Sequence, residues 1–149
     1  MNLNKKSFTI DELPAVANLL IEQIQGMNTT NATIVTLAGD LGAGKTTLTQ
    51  ALAVVLGVKE NIISPTFVIM KKYETKKGKW KNLIHIDAYR LENSQQLLNL
   101  GWEEIIKDKN NIILIEWPEL VPDCIPSKEV CRVILSHIDE KTRMIEILL

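Results

Sequence analysis

Gly39-Asp40-Leu41-Gly42-Ala43-Gly44-Lys45-Thr46 is the stretch that decides the fold. It satisfies G-x-x-x-x-G-K-[ST] in full, and the chemistry of that pattern is a phosphate cradle. Glycines allow positive φ, so successive N–H groups can converge on one anion. Lys45 can reach the β- and γ-phosphates of a nucleotide, and the Thr46 hydroxyl can hold Mg²⁺. A helix that starts here adds the positive end of its dipole. The flanks agree. Ile34-Val35-Thr36-Leu37-Ala38 is a short β-branched run that ends where the loop begins. Residues 46–56 carry helical spacing and stop at Gly57. Strand, loop and helix therefore stand in the order that a phosphate cradle requires.

A triphosphate site also needs acids to hold the metal and to position water. Such acids sit just past buried strands, where strand ends open onto a ligand crevice. Two positions qualify. Glu116 follows the apolar run Ile112-Ile113-Leu114-Ile115, and Asp87 follows Leu83-Ile84-His85-Ile86. Spacing alone leaves open which of the two positions water. Thr66, in the segment Ser64-Pro65-Thr66 that proline biases to extended geometry, is a third candidate, as a sensor of metal and γ-phosphate. His85 alternates with Asp87 and shares its face; by itself it reads as a structural histidine. Trp117, beside Glu116, can pack on nucleotide, on a partner or in the core.

Further out, Phe8-Thr9-Ile10 reads as a short extended start. Asp11 is the expected N-cap of a helix over 12–25, with Val16, Leu19, Leu20 and Ile24 on one face and Pro14 tolerated in its first turn. Residues 67–73 and 83–87 read as two strands of a hairpin around a lysine-rich turn. Helices are expected over 94–100 and 102–106, with Gly101 between them. The run 112–116 is of the buried parallel-strand kind. Two late strands, 130–135 and 144–149, bracket the turn Asp139-Glu140-Lys141-Thr142.

The 149 residues, 46% of them hydrophobic and 23% charged, suit one domain, residues 1–149, with a single well-buried core. No apolar run approaches the ~20 residues that span a bilayer, and no apolar stretch follows the first lysines as in a secretory signal. The cytoplasm is the expected location and no membrane partner is expected. A net charge of −1 argues against autonomous, stable binding to DNA or other nucleic acid. Locally, Lys71, Lys72, Lys76, Lys77, Lys79 and Lys81 crowd around Gly78 and Trp80. They read either as a solvated hairpin tip or as a contact for RNA or an acidic partner. Cys124 and Cys131 lack metal-ligand spacing and read as buried or idle thiols.

Four segments in order, Gly39-Asp40-Leu41-Gly42-Ala43-Gly44-Lys45-Thr46-Thr47, Ser64-Pro65-Thr66-Phe67, His85-Ile86-Asp87-Ala88-Tyr89-Arg90-Leu91 and Glu116-Trp117-Pro118-Glu119, resemble the TsaE (YjeE) family of small bacterial P-loop ATPases. The cradle alone is generic; its combination with the other three segments is specific. The resemblance implies an α/β fold, a single P-loop NTPase-like domain with a central, mostly parallel sheet flanked by helices and an antiparallel hairpin. It implies ATP and Mg²⁺ as cofactors and a role in forming threonylcarbamoyladenosine in tRNAs that read codons starting with A. The partners it implies are TsaD and TsaB, with tRNA reached indirectly through that complex, and hydrolysis that is weak alone and resets the transferase between turnovers. It assigns Mg²⁺ to Thr46 and Glu116, with Asp87 also in the site, and catalysis to Lys45, Asp87 and Glu116. Nucleotide contacts fall on Asp40, Leu41, Gly42, Ala43, Gly44, Lys45, Thr46 and Thr47, on Thr66 and Trp117, on Ile10 near the first strand–helix junction, and on Arg143. Leu13-Pro14 departs from the Thr-containing helix start common in the family.

The chain has the parts for binding MgATP and few for fast turnover. Only Arg90, Arg132 and Arg143 are arginines, and an arginine finger is worth about 10³–10⁵ in rate. A partner that completes the site would account for a slow ATPase. The rival readings are a small-molecule kinase, a GTP-driven switch and a non-catalytic nucleotide-binding module. The kinase lacks a lid insertion, the switch lacks an Asn-Lys-x-Asp segment, and the module leaves Lys45, Thr46 and Glu116 without a task.

Overall fold

The apolar run 112–116 sits at the middle of the molecule. In the computed structural model, which describes residues 4–63 and 68–149, it forms β5 (Asn111–Glu116), buried along its whole length. A strand covered on both faces needs apolar side chains at every position rather than at alternate ones. β5 pairs in parallel with β2 (Thr33–Ala38) and β4 (Asn82–Asp87), and β2 pairs in parallel with β6 (Val130–His137). Antiparallel strands frame this block. β3 (Met70–Glu74) closes one edge against β4; β7 (Thr142–Leu148) and then β1 (Lys5–Thr9) close the other. The seven-stranded order is β1-β7-β6-β2-β5-β4-β3. The sheet is thus α/β with a parallel centre, and it carries a second hairpin, β6–β7, beside the one around the lysine-rich turn.

Helices cover both faces. α1 (Leu13–Gln25) buries Val16, Ala17, Leu20, Ile21 and Ile24, and α2 (Lys45–Val55) buries Leu48, Leu52 and Ala53. Both pack with Val35, Leu37, Leu83, Leu114, Val133 and Ile145 in one core on the same side of the sheet. On the other side α3 (Ser94–Leu98), α4 (Trp102–Lys107) and two short turns at 118–124 enclose Ile34, Ile84, Ile86, Ile113 and Ile115. Odd and even positions of β4 and β5 feed different cores, as the period-two alternation of a strand requires.

Three local expectations change. Asp11 lies inside a 3₁₀ turn, Ile10–Glu12, and does not cap α1; Glu12 occupies that position. The cause is the Glu12 carboxylate, which accepts the Thr9 N–H at 3.2 Å and closes a turn ahead of the helix. The strand expected over 67–73 begins at Met70, because Ile69 takes φ 71° and breaks the extended run; Phe67 lies outside the described residues. The first strand starts at Lys5, earlier than its apolar residues suggest, because it is an edge strand and only Phe8 turns inward.

The six lysines of the turn are exposed, as a solvated tip requires, while its backbone is docked. The backbone N–H groups of Lys76 and Lys77 donate to Leu56 O just beyond α2, at 2.9 and 3.0 Å. The Lys79 ammonium donates to Gln25 O and Met27 O at the end of α1, at 3.0 and 2.8 Å. Cations and donors are favoured at helix C-termini, where carbonyls lack partners. Trp80 is buried beneath the turn and donates its indole N–H to Thr33 Oγ1 at 2.9 Å. Both cysteines are free and buried, and burial pushes the Cys131 thiol up to about 12. Among the described residues no helix is long and apolar enough to cross a membrane.

Candidate functional site

The loop between β2 and α2 leaves the C-terminal edge of the parallel block, where β2 lies between β5 and β6. Gly39 holds φ 147°, and a Cβ built on it would stand 2.4 Å from Leu135 O. No side chain fits there, so the loop hugs β6. Gly42 and Gly44 take φ 80° and 103°, and α2 begins at Lys45 with the Leu48 N–H donating to Gly44 O. The Ala43 N–H closes a turn on Asp40 O at 3.1 Å, and the loop ends at the N-terminus of α2, where first-turn amides lack helical partners.

Lys45 is 5% exposed. Its ammonium donates to Gly39 O at 2.5 Å and Asp40 O at 2.9 Å, and stands 4.1 Å from the centroid of the Trp117 ring. Burial pulls its pKa below the usual lysine value; the carboxylates of Glu116, Glu119, Asp87 and Asp40 oppose that shift. Trp117 reaches this place by an uncommon route. It takes φ 60° and ψ 51° immediately after β5 and anchors its N–H on Leu37 O at 3.3 Å. The ring of Tyr89 lies against it, centroids 5.1 Å apart and planes at 48°.

The two acids meet at the strand ends. Asp87 and Glu116 are register partners across β4 and β5, 4% and 3% exposed. The Thr46 hydroxyl, in the first turn of α2, donates to Glu116 Oε1 at 3.0 Å, with Oε2 at 3.2 Å. Glu116 Oε2 lies 2.6 Å from His85 Nε2. Asp87 Oδ1 accepts the Tyr89 N–H at 3.0 Å.

A cleft of about 410 Å³ gathers most of the residues expected from the sequence. Leu41, Gly42, Gly44, Lys45, Thr46, Thr47, Asp87, Glu116, Trp117 and Arg143 all line it. A smaller niche of about 60 Å³ adjoins it, where Ile10 and Ala43 meet Gly44, Thr47 and Arg143. Arg143, on β7, faces both hollows although it stands far from the loop in sequence; its guanidinium donates to Asp139 O and Thr142 O at 2.6 and 3.1 Å. Asp40 contributes its carbonyl to Lys45 and is otherwise exposed. Thr66 lies outside the described residues.

Reasoning from sequence missed three participants. Tyr89 lines the cleft and packs on Trp117, and Phe8 and Leu13 wall the niche. For Tyr89 a signal existed, two residues beyond Asp87 on the same outgoing segment. For Phe8 and Leu13 the strand–helix junction at Ile10 was the pointer.

Chemically, the arrangement offers converging amides, a buried ammonium, a hydroxyl and two carboxylates. Among the described residues no group of three or more His, Cys, Asp or Glu is arranged to hold a metal ion unaided.

The family model described as "Threonylcarbamoyl adenosine biosynthesis protein TsaE" matches residues 9–145 of the chain. A Nostoc protein with the name tRNA threonylcarbamoyladenosine biosynthesis protein TsaE is 38% identical over 150 residues, covering 93% of this chain and 88% of that protein. Its namesake from Rickettsia felis is 34% identical over 139 residues, with 93% and 75% covered. Among solved structures, that of Bacillus subtilis YdiB superposes with a TM-score of 0.67 at 26% identity, covering 97% of this chain and 85% of that one.

Proposed function

The chain belongs to the TsaE family of tRNA threonylcarbamoyladenosine biosynthesis proteins, and from that premise we propose that it is a Mg²⁺-dependent ATPase whose turnover drives a TsaD–TsaB transferase through its cycle. The single observation that carries the ATPase reading is the pairing of Thr46 with Glu116 beside Lys45, at the mouth of a glycine loop. A hydroxyl and a carboxylate joined at the first turn of the helix are the two oxygen donors such a metal needs from the protein.

The roles follow from position. The amides of residue 42 and residues 44–46 and the Lys45 ammonium bind the phosphates, and the start of α2 adds its dipole. Thr46 and Glu116 would hold Mg²⁺, with Asp87 the register partner of Glu116. Bound there, Mg²⁺ neutralises charge on the β- and γ-phosphates. One of the two acids, Asp87 or Glu116, orients the attacking water. Trp117 and Tyr89 wall off the phosphate end, and the niche at Ile10 and Arg143 takes the base. TsaD and TsaB are the proposed protein partners, and tRNA is reached through them.

The test is ATP turnover with Mg²⁺, with and without a bacterial TsaD–TsaB pair. Slow turnover alone and a rise of about tenfold or more with the pair is the expected result, well within what completing a phosphoryl-transfer site can add. Indifference to the pair, with ADP formed only when a small hydroxyl-bearing acceptor is added, would replace the reading with a kinase.

A further inference from the structure

We infer that His85 is a positioning residue for Glu116: it locks the carboxylate in one rotamer and so sets the metal half of the site proposed above, on which this inference rests. His85 interrupts the apolar strand β4 between Ile84 and Ile86 and is 0% exposed. It lies beside Leu114 of β5 and Lys71 of β3 in the sheet register. A polar ring in such a place costs free energy unless it is hydrogen-bonded. Its one hydrogen-bond partner among the described residues is Glu116, at 2.6 Å through Nε2. Nδ1 is buried and has no partner among them.

That asymmetry fixes the direction of the bond. A carboxylate only accepts, so Nε2 carries the hydrogen and, in the neutral ring, Nδ1 is left with the lone pair. The alternative tautomer would bury an unpaired N–H and set two acceptors against each other at 2.6 Å. A side chain needed only to fill space would be better supplied by leucine or phenylalanine, which bring no polar atom of their own to satisfy.

Glu116 needs this anchor. It is 3% exposed, and among the described residues its other side-chain hydrogen bond comes from Thr46, whose hydroxyl must also turn a lone pair to the metal. His85 is the partner with no second task. Strand alternation puts His85 and Asp87 on one face of β4, so the same short segment holds Glu116 from beneath and sets Asp87 beside it. Groups that orient metal-binding side chains are worth about 10–100-fold in metal affinity or activity.

The test compares His85→Leu, which removes the donor, with His85→Gln, which restores an N–H. Two quantities are read on the full chain: ADP affinity in EDTA, and Mn²⁺ affinity of the ADP complex by electron paramagnetic resonance. The inference predicts ADP affinity in EDTA unchanged within about twofold, Mn²⁺ affinity lowered by about tenfold or more in His85→Leu, and most of it recovered in His85→Gln. A folded His85→Leu chain that binds Mn²⁺ like the parent would overturn it. Imidazole ¹⁵N shifts of the parent supply a check that needs no substitution: a hydrogen on Nε2 is required, and a ring whose Nε2 is bare refutes the inference. A parent whose ADP complex takes up no Mn²⁺ would instead overturn the metal-dependent reading beneath it.

Discussion

Glu116 ends a strand whose four preceding side chains are isoleucine or leucine, and it is met there by a hydroxyl from a helix and an imidazole from the neighbouring strand. Its charge, more than its shape, is what the proposed chemistry uses. Glu116→Gln keeps the length and the Thr46 contact but loses the anion. Mg²⁺-dependent ATP hydrolysis is expected to fall by about 10²-fold or more, while ADP affinity in EDTA stays within about twofold, as for a group acting in the transition state. Parallel loss of both would make Glu116 a structural residue. At this scale the pattern of the loop was enough to single out Lys45 and Thr46, because a P-loop is a local motif. The His85–Glu116 contact was not legible. It joins residues thirty-one apart and exists only through the register of β4 on β5, which no local pattern encodes. The left-handed backbone of Trp117 was hidden as well, since positive φ is uncommon for a bulky residue and tertiary packing imposes it here.

The turn from β2 into α2 depends on Gly39, whose missing Cβ lets the loop pass within contact of Leu135 O on β6. Gly39→Ala forces a side chain to 2.4 Å from that carbonyl at φ 147°. The expected cost is on the order of 1–3 kcal/mol, read as a lower urea midpoint with unchanged slope, together with weaker ADP binding. A midpoint equal to that of the parent would mean that the loop yields freely. Elements with strong local patterns, β2, β5, α1 and α2, were legible from apolar runs and helical spacing. Those governed by edges and caps were less so. β1 hides its first residues behind two lysines on an exposed edge, Glu12 displaces Asp11 by reaching back to Thr9, and Ile69 takes positive φ just before β3, where the residue types alone favour extended backbone. The lysine-rich turn shows the same limit. Its charges read as a solvated tip or a partner contact, and the lysines are indeed exposed; what the pattern does not reveal is that Lys79 closes the end of α1 and the neighbouring amides close that of α2.

Across the whole molecule, one sheet separates two cores, and the loops that matter leave its C-terminal edge together. Open α/β sheets bind ligands in such a crevice. β2, β4 and β5 each deliver one part of the site: the cradle, Asp87 and Glu116. β7 brings Arg143 to the same cleft from the far hairpin. A ligand held by all of them binds the folded state only, and saturation at about a hundred times Kd would add roughly 2.7 kcal/mol to its stability. The central claim is that this crevice is a Mg²⁺–nucleotide site built on Lys45. Calorimetric titration of ADP with Mg²⁺ into the chain and into Lys45→Ala tests it most directly. The account predicts saturable binding by the parent and a loss of about 10–100-fold in the variant, as expected when a charge-assisted contact to phosphate is removed. Equal affinity in both, or none in the parent, would contradict it.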